Sequence, residues 1–161
     1  DDYMQNEKSE EQVDEKAPPG AKAERMVKHI KAGYAKDGKL TPKEKSIAYA
    51  TDQGQPVGVI VLKNPVPTYR NKVFAAAGVP ELERNYSTEL GYVYLMPEYR
   101  TRGVAPGLLR LMNRSINSPV FATTRENNTT INKILQFGGY KVTGQPYTSG
   151  RGDYNLFLWT K

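Results

Sequence analysis

The sequence predicts an α/β fold in which a mixed sheet is flanked by helices, with a polar, acidic tail ahead of it. Three observations carry this. Most apolar side chains fall after residue 45, in short β-branched and aromatic runs. Those runs alternate with stretches of helical spacing. A chain of 161 residues with 38% hydrophobic content then fits one domain with a real core once the tail is set aside.

The tail comes first. Residues 1–16 carry seven acids and two lysines, a net of −5, so the rest of the +6 chain carries +11. Residues 1–20 close with Ala17-Pro18-Pro19-Gly20, and such a stretch cannot bury enough apolar surface to offset its ordering entropy. A disordered or loosely held tail is expected over 1–20, and a folded domain over 21–161. Ala21 to Tyr34 reads as a helix, with Met26, Ile30 and Tyr34 four apart and Asp37-Gly38 breaking it. Thr41-Pro42-Lys43-Glu44 has the pattern of a capping box, predicting a short second helix.

From there the pattern changes. Ser46 to Thr51 and Val57 to Leu62 predict a hairpin around the turn at residues 52–56. Asn64 to Ser87 reads as irregular, with one helical turn around Lys72 to Ala77, and its length marks it as functional or mobile. Glu89 to Leu95 predicts a strand, Ala105 to Ile116 a helix, Val120 to Thr124 a strand, and Asn128 to Gln136 a helix. Strands over Lys141 to Gln145 and Tyr154 to Thr160 close the chain.

Several chemistries fall away. There is no cysteine, so disulfides and thiolate nucleophiles are excluded, and the lone His29 cannot form a metal cluster by itself. No apolar run approaches the ~20 residues that span a bilayer, and no secretory leader is visible. The chain begins at Asp1 rather than Met, as expected of a processed product or an excerpt of something longer. The basic body suits a polyphosphate ligand, nucleic acid or an acidic protein. Its arginines and lysines are scattered rather than interleaved with aromatics, so nucleic acid ranks last.

The most informative segment runs from Glu89 to Leu109. A strand enters a tight basic loop that opens directly into an amphipathic helix. The first turn of a helix has unpaired N–H groups at a positive dipole end, and this makes an anion site. Gly103 permits unusual backbone angles and close approach of a phosphate. Ala105 is small, Pro106 suits the first turn, and Arg100 and Arg102 add charge. By itself, a glycine here also serves an ordinary strand–loop–helix turn.

The pattern Arg100-x-x-Gly103-x-Ala105, preceded by Pro97-Glu98-Tyr99 and followed by Leu108-Leu109, resembles the acetyl-CoA motif of the GCN5-related N-acetyltransferase (GNAT) family. Asn128, followed eleven residues later by Gly139-Tyr140, resembles that family's Asn…Gly-Phe segment. The resemblance covers 46–161. It implies a mixed, mostly antiparallel twisted sheet with a splayed central strand pair, and acetyl-CoA as cosubstrate with no metal. It also implies cofactor contacts at Val93, Leu95, Arg100, Arg102, Gly103, Val104, Ala105, Gly107 and Asn128, and acetyl transfer to a primary amine of a small molecule or protein.

Some features depart from the family pattern. Many members carry a tyrosine seven residues after the motif asparagine, where this chain has Leu135. Tyr94, Tyr147 and Tyr154 are substitutes for the proton donor, and Tyr94 is placed in the catalytic set with Glu89 as the amine's base. Glu89 also reads as an exposed strand-end acid, and Glu126 is the second candidate base. The family's opening strand is not visible in residues 1–20. Ala23 to Thr51 weakly resembles marine bacteriophage proteins, giving the alternative of a catalytically degenerate structural or interaction module with virion partners. Acetyl-CoA and an amine acceptor are the expected partners, a homodimer is compatible with the sequence, and the expected location is cytoplasmic or virion-associated.

Overall fold

The computed structural model describes residues 34–36, 39–41 and 44–161. The acidic tail and nearly all of the helix expected over Ala21 to Tyr34 lie outside the described residues. Tyr34 itself opens a short strand, β1 (Tyr34–Lys36), which pairs antiparallel with β2 (Lys39–Thr41).

The helix expected after Thr41 does not form. Thr41 ends β2, and Glu44 opens β3 (Glu44–Asp52), which pairs antiparallel with β4 (Gln55–Lys63). The run that follows Glu44 finds a cross-strand partner in β4, and that pairing overrides the local capping pattern. The hairpin turns on Gln53 and Gly54, both with positive φ (50° and 78°), as a tight two-residue turn requires.

The segment after β4 is more ordered than its composition predicts. Pro67 starts a ten-residue helix, α1 (Pro67–Ala76), and a 3₁₀ turn follows over Pro80–Asn85. Next come β5 (Thr88–Leu95), α2 (Val104–Ser115), β6 (Val120–Arg125), α3 (Thr129–Phe137), β7 (Lys141–Val142), β8 (Tyr147–Thr148) and β9 (Asn155–Thr160). The strand expected over Lys141 to Gln145 is cut to two residues, because the chain then turns toward α1. There Gln145 N–H donates to the Ala77 carbonyl at 2.9 Å. A Cβ at Gly144 would sit 2.3 Å from that same oxygen, and its φ is +70°. Only glycine fits this approach.

The large sheet has the order β3-β4-β5-β6-β9-β7, with β8 also on β9. Every pairing is antiparallel except β5 with β6, which pair for only two residues, Thr88 with Val120 and Glu89 with Phe121. Beyond Glu89 the two strands have no shared ladder and form a fork. Three residues further up, β5 carries a bulge. Val61 opposes Gly91 and Ile60 opposes Val93, leaving Tyr92 as the extra residue.

Helices cover both faces, as burial of a two-sided sheet demands. On one face Leu108, Leu109 and Met112 of α2 and Ile131 and Leu135 of α3 pack against Ile60, Leu90, Val120 and Trp159. On the other, Val73 and Phe74 of α1 pack on Phe121, Leu156 and Leu158. Phe74 meets Phe121 edge-on at 5.2 Å.

Candidate active site

The open end of the fork leads into a cleft of about 980 Å³ between α2 and α3. Val93 and Leu95 of β5 form its inner end with Arg125 of β6, and Gly103, Val104 and Ala105 form its rim. Asn128, Ile131 and Ile134 supply the wall from α3, and Phe137, almost fully exposed, stands at its outer edge.

The rim has the geometry of an anion site. Gly103 sits just before α2 in the left-handed conformation, φ +78°, and a Cβ there would meet nothing within 4 Å. The space above it is open. Thr101 also has positive φ (66°), a costly state for a β-branched residue, so this loop is held in a strained form. As first-turn residues, Val104 and Ala105 present amides with no carbonyl one turn back, and Pro106 has no N–H to present. Gly107 N–H is already bonded to the Gly103 carbonyl at 3.1 Å. The anion-facing donors of the helix are thereby narrowed to the amides of Val104 and Ala105.

The basic side chains divide. Arg100 lines the cleft, and its Nε donates to the Leu95 carbonyl at 3.2 Å, tying the loop to the end of β5. Arg102 is outside the cleft wall, 5.5 Å over the ring of Tyr99, whose hydroxyl donates to Asp52. Arg110, Arg125 and Lys133 also line the cleft, and sequence reasoning missed them because their shared wall depends on how α2, β6 and α3 pack. Asn128 caps α3, its side-chain oxygen accepting from Ile131 N–H at 3.2 Å. The turn between β6 and α3 is fixed by a chain of bonds. Trp159 Nε1 donates to Thr124 Oγ1 at 2.8 Å, Thr124 donates to Asn132 Oδ1 at 2.6 Å, and Asn132 Nδ2 donates to the carbonyls of Arg125 and Glu126.

The acid–base candidates lie elsewhere. Leu135 packs in the core at 2% exposure, and no tyrosine is among the described residues that line the cleft. Tyr94 is buried on β5 opposite Val59, on the face away from α2. Glu89 is not an exposed strand end. It is buried on the α1 face, 3.1 Å from Lys63 Nζ, and accepts a 2.8 Å hydrogen bond from the Tyr69 hydroxyl. Tyr147 lies close enough for the Glu89 charge to act on it. Burial first, and that charge second, push the Tyr69 and Tyr147 hydroxyls well above the usual phenol range. Tyr154 stacks under Arg125 at 4.0 Å, and Glu126 is an exposed turn residue.

A forked sheet with a glycine-led helix at the fork has solved counterparts. An acetyltransferase of the GNAT family from Streptococcus pneumoniae aligns with TM-score 0.52 and 16% identity, covering 71% of this chain and 65% of that one. The fold is that of the GCN5-related N-acetyltransferases. A GNAT-family acetyltransferase from Bacillus cereus gives TM-score 0.51 at 15% identity, with 74% and 70% covered. A protein from Bacillus anthracis, provisionally named a streptothricin acetyltransferase and crystallised with acetyl coenzyme A, gives TM-score 0.53 at 21% identity. The match covers 74% of this chain and 62% of that protein, so this chain spans less than two thirds of its length. No protein-family model and no curated protein matches the sequence. The GNAT fold here has a mostly antiparallel sheet, as the resemblance implied, and among the described residues no helix is long and apolar enough to cross a membrane.

Proposed function

We propose that the protein is an acetyltransferase that moves the acetyl group of acetyl-CoA to an amine. The observation that carries the reading is the pairing of an open, left-handed Gly103 at the start of α2 with a fork between β5 and β6 at the inner end of one cleft. The residues present fit coenzyme A. A Cβ-free approach leads to two helix amides, four basic side chains (Arg100, Arg110, Arg125, Lys133) share the walls, and apolar Val93, Leu95 and Ile134 suit a pantetheine arm.

On this reading, the Val104 and Ala105 amides and Arg100 hold the pyrophosphate, and the bulged backbone of β5 at Val93 and Leu95 faces the acetyl end. Asn128 shapes the wall by capping α3. When bound, acetyl-CoA supplies an activated acyl group. The chain's own contribution is orientation of the amine against it, exclusion of water and main-chain polarisation of the carbonyl. The Glu89 carboxylate is already engaged by Lys63 and Tyr69, so a free base for the amine does not come from it directly. An acceptor amine that arrives neutral is favoured.

The test is release of coenzyme A from acetyl-CoA, followed with a thiol reagent across polyamines, aminoglycosides and peptide amines. Turnover with at least one class supports the enzyme. Tight acetyl-CoA binding without turnover on any amine favours a second reading, a GNAT fold kept as a binding or interaction module. The burial of Leu135 in the core, where a tyrosine would serve as acid, is the observation behind that alternative.

A further inference from the structure

Tyr69 stands where the two strands of the fork part. Its hydroxyl donates to Glu89 Oε2 of β5 at 2.8 Å, and the Thr123 side chain of β6 is near enough to act on the same hydroxyl. Glu89 and Phe121 form the last cross-strand pair of β5 and β6, and Thr123 is two residues above Phe121, on the same face of the strand. One phenol therefore stands against both arms at the height where the main-chain ladder stops. The surroundings hold it there. Its ring packs with the α1-side core, Lys63 neutralises the Glu89 carboxylate, and the Lys63 side chain lies over Gly91, the next residue of β5 on that face.

We infer that Tyr69 is a positioning residue for the proposed reaction, a latch that sets how far β5 and β6 open. The fork has no backbone bonds of its own above Glu89, so its width is decided by side chains. Both arms end in residues that line the cleft, Val93 and Leu95 on β5 and Arg125 on β6. A change of opening at Tyr69 is carried by the strands to the inner end of the cleft, while the phosphate rim at Gly103 is built on a separate loop. The latch acts from the α1 face, opposite α2, and Tyr69 is not among the residues that line the cleft. Its consequence for acetyl-CoA rests on the acetyltransferase reading, and its consequence for the strands does not.

The experiment compares Tyr69→Phe, Thr123→Val and the double variant with wild type, using acetyl-CoA and adenosine 3′,5′-bisphosphate as calorimetric probes. The bisphosphate reaches only the rim, whereas acetyl-CoA also enters the fork. Either single variant should weaken acetyl-CoA about fivefold to tenfold and leave the bisphosphate unchanged. The double variant should be no weaker than the worse single, since both remove one bridge. A general loss of stability would not separate the two probes. Wild-type acetyl-CoA affinity in Tyr69→Phe, or losses that multiply in the double variant, overturns the latch. Backbone amide exchange decides the matter without a ligand. Tyr69→Phe should speed exchange about tenfold at residues 88–91 and 121–124 relative to 57–61. Exchange that is unchanged, or raised equally in all three segments, overturns it. Failure of wild type to bind either probe would count against the coenzyme A reading, with the exchange result still deciding the latch.

Discussion

The Lys63 ammonium lies 3.1 Å from a Glu89 carboxylate oxygen, and the two side chains are 1% and 2% exposed. They are direct cross-strand partners on β4 and β5. The contact is one of charges, since the separation is not aligned as a hydrogen bond. Taking two ions out of water is expensive, and removing one partner takes a close counter-charge from the other.

Glu89→Gln should therefore act first on stability. We expect a loss of about 3–5 kcal/mol in urea unfolding, the range for breaking a buried pair. Replacing both charges together, Lys63→Met with Glu89→Leu, should recover most of it, because neither buried charge of the pair is left. A Glu89→Gln protein within 1 kcal/mol of wild type would show that the pair is not what holds this face together.

Stability should also fall steeply at high pH. Burial holds the Tyr69, Tyr140 and Tyr147 hydroxyls above the usual phenol range. In the unfolded chain each ionises near pH 10, while in the folded protein each keeps its proton. A raised folded value contributes stability in full below pH 10 and loses it as pH climbs toward that folded value. Each group adds a slope of at most about 1.4 kcal/mol per pH unit in that window. Tyr140 Oη is buried with no hydrogen-bond partner, so Tyr140→Phe should flatten the alkaline limb and cost little at pH 7. Urea midpoints from pH 8 to 11 read both effects.

Two glycines with the same backbone give a matched pair. Gly144 (φ +70°) faces the Ala77 carbonyl at 2.3 Å from an ideal Cβ, whereas Gly152 (φ +74°) faces nothing within 4 Å. Gly152→Ala should cost about 1–2 kcal/mol, the cost of a side chain in the left-handed region. Gly144→Ala adds a backbone clash, with overpacking of typically about 1–3 kcal/mol more. Equal melting temperatures for the two variants would mean that the chain at 143–146 is free to move off α1.

The legible parts of this molecule were those whose signal is local. Arg100 to Ala105 is a contiguous strand–loop–helix signature, and the short apolar runs over 57–62 and 120–124 mark strands buried almost throughout. Other parts were written in partners far along the chain. Thr41 to Glu44 reads as a helix start until β4 offers Glu44 a cross-strand partner at Lys63. Helix α1 has two buried side chains, Val73 and Phe74, and no side-chain cap, so no stripe announces it. Glu89 also reads as an exposed strand-end acid because its burial follows from strand register and from α1 packing over it. The cleft's Arg110, Arg125 and Lys133 converge from three elements that no spacing rule connects.

The measurement closest to the central claim is calorimetric binding of acetyl-CoA to Gly103→Glu beside Gly152→Glu. Both glycines have positive φ and open space at the Cβ position, so both substitutions carry the same backbone cost. Only the first places a carboxylate over the amides of Val104 and Ala105. The account predicts wild-type affinity for Gly152→Glu and a loss of more than tenfold, about 1.4 kcal/mol, for Gly103→Glu. Equal acetyl-CoA affinity in wild type and Gly103→Glu, with the fold intact, would contradict it.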